Sequence, residues 1–335
     1  MTTPVLPVRI PADELAHRHS AEWWWFVCHL VTADDGPERR FDAFAVVLRG
    51  GSAAVAIQRV CDDTGTLLKG AHAGLFSQLY TPLPSPEAFA FRGQSFLSSL
   101  PSVGDPWFIG APPMVLRGGD GIYDLALGHT DPWASRGAAA IDGDIGSMAL
   151  SLRTRAGAAL LGDRGVMNYG DAPDMAYYCW TNLALTGRVN TAGGARPVRG
   201  VGWLERQWGD GDPQGATWKY ISIQLDDGRA MVFFRATPNG HPMVRRGARI
   251  DAGGSVVSVD PAHIRIDDAR RWKHYWIDSV IRAPGIELTV TAFREDNEVD
   301  LSVPWVPSFW EGAGRVEGTV DGDAVSGRSF TEIHT

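Results

Sequence analysis

Apolar residues in this chain recur at every second position, and that period restricts what the chain can fold into. Met148, Leu150 and Leu152 alternate with Ala149, Ser151 and Arg153. Ile286, Leu288, Val290 and Ala292 alternate with Glu287, Thr289 and Thr291. Successive side chains of a strand point to opposite faces, so each segment predicts a strand with one buried face. Turn chemistry agrees. Ile221, Ile223 and Leu225 run into Asp226-Asp227-Gly228, and the apolar run Ala230 to Phe234 follows. Asp-Gly supplies the positive φ angles that a hairpin turn needs. A second hairpin reads from Arg315 to Val320, turns at Asp321-Gly322 and returns from Val325 to Ile333. Phe41 to Leu48 is apolar on both faces, as expected for a strand between a core and a lined cavity. The best helical stretch, Pro11 to His19, predicts a brief helix only. No βαβ rhythm appears, which excludes a parallel α/β sheet and leaves an all-β meander closed as a barrel or sandwich.

A length of 335 residues predicts two domains. The Gly-rich stretch from Asn190 to Arg196 is the natural boundary, giving domains 1–192 and 193–335. Proline and glycine gather between Tyr80 and Pro113, where a long loop or lid is expected. The net charge of −8 opposes a nucleic-acid role. The densest basic cluster, Arg245, Arg246 and Arg249, is expected in a solvated loop. Cys28, Cys61 and Cys179 are odd in number and widely spaced, which predicts reduced, buried thiols rather than disulfides or a zinc site. His17 and His19 are close together but in a terminus expected to fray, so no metal is expected. The chain shows no signal-peptide-like run and nothing near the roughly 18 apolar residues of a membrane helix, so a cytoplasmic protein without a membrane span is expected. No dinucleotide fingerprint, phosphate loop, H-E-x-x-H or nucleophile elbow occurs, and no cofactor is expected.

Thirteen tryptophans must then be placed. They fill cores, or some line a cavity that a ligand completes. Four segments set them beside polar groups. In Glu22-Trp23-Trp24-Trp25-Phe26, Trp24 faces one way and Trp23 and Trp25 the other; burial beside indoles raises a carboxyl pKa. The alternative is a structural plug with Glu22 bonded to backbone or an arginine. In Gly202 to Asp210, Trp203, Glu205 and Gln207 share one face and Leu204, Arg206 and Trp208 the other. That segment offers an acid, an amide and an aromatic wall, or a structural Glu–Arg pair. In Ala176 to Asn182, Tyr178 and Trp180 share one face and Tyr177 and Cys179 the other, lining a pocket or packing a core. Trp310-Glu311-Gly312 repeats the indole beside a carboxylate, as a site or as a turn.

These motifs, in this order, resemble the lipocalin-like superfamily of AttH-like proteins, carotenoid 1,2-hydratases and fungal decalin-forming Diels–Alderases. AEWWWFVCHL is similar to its opening E-W-W-[YF] strand, and AYYCWTNLALTGRV to its Tyr-Tyr element. GVGWLERQWGD is similar to its G-x-x-W-[FM]-D-x-[EQ]-W-G signature, with Glu205 where Asp is usual and Arg206 where His is frequent. ATWKYISIQLDDGR and SFWEGAGRVEGTVDGDAVSGRSFTEI resemble the strand that follows and the closing hairpin. The resemblance implies two consecutive lipocalin-like antiparallel barrel domains, a pocket at or near their interface, and a long, apolar, polyunsaturated small molecule as substrate.

Three functions follow from this combination. In a cofactor-independent cyclase, the pocket pre-folds a polyene or polyketide-type chain, and Tyr178, Gln207 or Glu205 hydrogen-bonds an activating carbonyl. In a hydratase or proton-initiated cyclase, Glu205 or Asp210 is a protonated acid, and tryptophan faces stabilise a carbocation. In a carrier, Glu22, Glu205 and Glu311 are structural. Trp24, Tyr177, Trp180, Trp208, Trp218 and Trp310, with Glu22 and Glu311, are the expected substrate-binding residues.

Overall fold

A computed structural model describes residues 5–14, 17, 19–50, 53–63, 67–75, 80–82, 89–93, 114–119, 121–127, 147–191, 194–211, 215–299 and 308–335. Among these, the regular structure is antiparallel β with two 3₁₀ turns and no α-helix. The chain divides into two compact units. The N-terminal unit comprises Val8–Ala158 and Asn182–Trp208; the C-terminal unit comprises Met1–Pro7, Ala159–Thr181 and Gly209–Thr335. Of the four points at which the chain passes from one unit to the other, two fall inside the long strands Ala172–Thr191 and Gly194–Gly209. Residues 192 and 193, the expected boundary, lie outside the described residues.

The N-terminal unit holds a sheet in the order Leu67–Leu75, Ala53–Asp62, Arg40–Gly50, Ala21–Thr32, Gly194–Gly209, Ala172–Thr191, Ser147–Thr154, Ile122–Leu127, Met114–Gly119, Phe89–Gly93 and Tyr80–Pro82. The alternation read at 148–153 holds except at Ala149: Met148, Leu150 and Leu152 are buried and Ser151 and Arg153 are exposed, but Ala149 is buried as well. Phe41, Ala43, Phe44, Ala45, Val46 and Val47 are buried, so both faces of the Arg40–Gly50 strand are covered. At Gly200 the backbone passes so close to the neighbouring strand that a Cβ would sit 2.1 Å from the His29 carbonyl oxygen. Only two short strands of the stretch 80–113 are described, and the expected lid otherwise lies outside the described residues. The helix expected from Pro11 is a single 3₁₀ turn, Ala12–Glu14. Its Glu14 is fully buried and accepts hydrogen bonds from the Tyr123 hydroxyl and the Gly121 amide. This segment is therefore anchored rather than frayed.

The C-terminal unit holds a sheet in the order Val256–Ser258, Val244–Ile250, Ala230–Thr237, Thr217–Leu225, Asp323–His334, Phe309–Val320, Ile286–Ala292, Ser279–Ala283 and Arg265–Asp268. Both expected hairpins form. Gln224 pairs with Ala230 around the first turn, and Val320 with Asp323 around Asp321-Gly322, whose φ angles are 55° and 91°. Ile221, Ile223, Leu225, Phe233, Ile281, Leu288, Val290 and Val316 form one packed core. Trp310, Tyr275, Ile277, Ala292 and Ile333 form a second. Arg245, Arg246 and Arg249 lie on the Val244–Ile250 strand, not in a loop, and Arg249 pairs with Asp321 at 2.6 Å. None of the three cysteines is in a disulfide. Cys28 and Cys179 are buried as expected, Cys61 only half so, and burial followed by the nearby Asp42 charge pushes the Cys28 thiol up to about 12.

Candidate active site

In the N-terminal unit, strand alternation brings Glu22 and Trp24 to the face that carries Arg206 and Trp208. Arg206 and Glu22 are both almost wholly buried, and Arg206 Nη2 donates to Glu22 Oε1 at 2.6 Å. His17 contributes two more hydrogen bonds to the same oxygen, from its backbone N–H and through Nδ1, each at 2.9 Å. The Arg206 guanidinium lies 3.8 Å from the Trp24 ring centroid and 5.0 Å from that of Trp208. His17 stacks on Trp208, with centroids 4.0 Å apart and planes 3° from parallel. The expectation of a raised Glu22 pKa is overturned. Burial pushes this carboxyl up, but the Arg206 charge and the hydrogen bonds from His17 and Arg206 outweigh burial and hold it at about 2. Glu22 is thus an ionised anchor at neutral pH. Burial, with the Arg206 charge, lowers the pKa of His17 against the opposing pull of Glu22.

The opposite face carries Glu205. Its Oε1 accepts a hydrogen bond from Trp23 Nε1 at 3.3 Å. Gln207 and Trp203, at the same strand period, are buried with it. Arg206 thus pairs with a residue 184 positions away in the sequence.

In the C-terminal unit, the polar and aromatic side chains gather on the sheet face turned away from the Ile221–Val316 core. The strand Thr217–Leu225 places Trp218 and Tyr220 there. In register, Trp218 pairs with His334 and Tyr220 with Glu332; on the next strand Glu332 pairs with Glu311. Directly paired residues share a face, so Tyr220, Glu332 and Glu311 form a row across three strands. Glu311 is 2% exposed and Glu332 8%. Trp218 Nε1 donates to Glu332 Oε1 at 2.7 Å, and its ring lies 4.4 Å from that of His334. His334 Nδ1 donates to the Ala216 carbonyl at 2.6 Å, which fixes the tautomer, and burial lowers its pKa against that hydrogen bond. Tyr177 approaches Tyr220 with ring centroids 6.5 Å apart.

The remaining expected residues are spread. Tyr178 and Trp180 are buried and share a face, edge to face at 6.4 Å, as the alternation predicts. Trp310 belongs to the second core and donates to the Glu295 carbonyl at 2.6 Å. Asp210 sits, half-buried, in the bend after the Gly194–Gly209 strand. Sequence reading singled out Trp218 and Glu311 but missed Tyr220, Glu332, His334 and His17. A signal for Glu332 and His334 was present, because they flank Ile333 in a segment that the sequence marks as the returning strand of a hairpin. No group of three or more His, Cys, Asp or Glu able to hold a metal ion occurs among the described residues.

Residues 122–335 match the AttH-like family. The chain belongs to that family. Its fold is similar to that of an AttH protein from Nitrosomonas europaea, with a TM-score of 0.73 and 22% identity over 99% of this chain and 98% of that one. Kievitone hydratase from Nectria haematococca matches with a TM-score of 0.70 and 12% identity, covering 98% of this chain and 92% of that one. CghA, in a structure with Sch210972, matches with a TM-score of 0.56 and 10% identity, covering 94% and 88%. No curated protein matches in sequence. The all-β, lipocalin-like fold expected from the motifs is the fold of the AttH-like chain. No helix among the described residues is long and apolar enough to cross a membrane.

Chemically the two clusters differ. Glu22 is committed to Arg206 and His17, which suits an anchor. The Glu311–Glu332 row combines buried carboxyls, an indole donor, two phenols and an imidazole, a set that can give, hold and take protons.

Proposed function

We propose that this protein is an enzyme that protonates a carbon–carbon double bond of a long, apolar, unsaturated small molecule and so hydrates or cyclises it. The observation that carries this reading is the row of buried carboxyls Glu311 and Glu332 among Trp218, Tyr220 and Tyr177. A carboxyl surrounded by aromatic rings is held in its neutral, proton-giving form more readily than one in water. Ring faces stabilise the cation that alkene protonation creates. The fold likeness to kievitone hydratase supports the same class of reaction. Glu205, held by Trp23, is the second candidate acid.

Cofactor-independent cyclisation of a polyene or polyketide-type chain is the second reading. The buried Tyr178, packed edge to face on Trp180, favours it, because a phenol in that setting can hydrogen-bond an activating carbonyl.

The two readings part in deuterated water. Purified protein is incubated with acyclic polyenes and polyene polyketide chains, and products are read by mass spectrometry and NMR. Deuterium on a product carbon is the expected result. A cyclised product without deuterium establishes the concerted route instead. A polyene that binds and returns unchanged overturns both in favour of carriage.

A further inference from the structure

We propose that Glu311 and Glu332 act as one unit that holds a single proton, with Glu332 kept as the carboxylate and Glu311 as the acid. The inference rests on the acid-initiated reading above and assigns the roles within it. The two residues are directly opposite on neighbouring strands, which sets their Cβ atoms about 4.5–5.5 Å apart. Both are buried. Two carboxyls carried by directly opposed residues in a buried setting repel as like charges, so that one retains a proton at neutral pH and their titrations couple.

The surroundings decide which one keeps the proton. The indole N–H of Trp218 can only donate, and it donates to Glu332 at 2.7 Å, which favours the charged form of Glu332. Tyr220, Tyr177 and His334 share this face near the pair; further along it, Arg246 stands opposite Phe234 and donates to the Asn168 carbonyl, Tyr169 packs on Phe234, and Arg328 and Arg315 pair with each other beyond Glu332 and Glu311. From the strand Ala230–Thr237 the face receives Phe234 and Ala236, and from Phe309–Val320 it receives Phe309 and Ala313 beside Glu311. His334 spends its Nδ1 proton on Ala216. It therefore presents an imidazole lone pair to this face.

The proton balance closes within the pair. Glu311 gives its proton to the alkene; a C–H bond forms, the O–H bond breaks, and a carbocation remains. Water adds to the cation, and the proton it sheds passes to the Glu332 carboxylate. Transfer from Glu332 to Glu311 restores the starting state. Trp218 is a positioning residue in this scheme, since it acts through Glu332.

Infrared difference spectroscopy of the full chain, without substrate, tests the pairing. Wild-type protein at neutral pH is expected to show the C=O stretch of a protonated carboxylic acid that Glu311→Gln removes. In Glu332→Gln the like charge is gone, and the band should titrate at least about one pH unit lower. Trp218→Phe removes the donor to Glu332 and should narrow the separation between the two titrations. No such band in the wild type, or a midpoint unmoved by Glu332→Gln, overturns the proposal. If a variant fails to fold, carbon-13 NMR titration of glutamate-labelled wild-type protein carries the same test: two coupled curves are expected, and independent curves refute it. Glu311→Gln should also lower turnover about 10²-fold or more. Coupled carboxyls with no deuterated product overturn the reaction assigned above, whereas deuterated product with uncoupled carboxyls overturns the pairing alone.

Discussion

Glu22 shows how a single residue can be legible in the sequence and still have its chemistry reversed by the fold. Its position beside three tryptophans was visible, and so was the face it shares with Trp24. A bond to an arginine was one of the two readings, but which arginine was not visible: Arg206 arrives from 184 positions away, and its charge holds Glu22 ionised as an anchor. Removing one member of a buried pair leaves the other charge unpaired, which typically costs about 3–5 kcal/mol. Glu22→Gln is therefore expected to destabilise the protein by about 3 kcal/mol in urea unfolding. The double variant Glu22→Gln/Arg206→Met should recover most of that loss. A loss under about 1 kcal/mol in the single variant would show that the pair contributes little.

At the scale of elements, register and close approach do the positioning. Hairpin turns were predictable because their chemistry is local: Asp321 and Gly322 both take positive φ, and Gly does so without steric cost. The close approach at Gly200 was not predictable, because it depends on which strand lies alongside. The two glycines should respond differently to alanine. Gly322→Ala places its Cβ in open space, so only backbone conformation is penalised, by about 1 kcal/mol. Gly200→Ala drives a Cβ into the His29 carbonyl and the Leu30 Cα, both backbone atoms, and should cost more, about 2–3 kcal/mol. Thermal unfolding of the two variants side by side measures the difference; equal losses would contradict the close packing at Gly200. The row of Tyr220, Glu332 and Glu311 has the same origin as that contact. Each residue sits at a predictable face of its own strand, yet the order of strands alone makes them neighbours.

Across the whole molecule, the buried ionisable groups give stability a defined pH dependence. His17 and His334 have pKa values below their ordinary 6.5 in the folded state. Between the folded and unfolded values the unfolded chain binds more protons, so this stability is complete above 6.5 and is lost as pH falls below it. Glu22 acts in the same direction at lower pH. Its contribution is complete above the ordinary 4.5 and fades as pH falls toward about 2. The urea midpoint is therefore expected to decline below pH 6.5 and to decline further below 4.5. In Glu311→Gln, where the proton proposed for Glu311 no longer offsets the histidines over this range, a midpoint flat from pH 7 to 4.5 would contradict the histidine part.

The all-β class, the two hairpins, the faces on which Trp24, Arg206, Tyr178 and Trp180 lie and the family resemblance could all be read from the chain. These depend on side-chain alternation and turn chemistry, which act over a few residues. Tertiary structure alone decided that Arg206 meets Glu22 and Trp23 meets Glu205, that His17 stacks on Trp208, and that Glu332 stands opposite Glu311 with Trp218 donating to it. Those pairings join strands distant in sequence, and a two-residue period assigns a side chain to a face without specifying which strand will lie beside it.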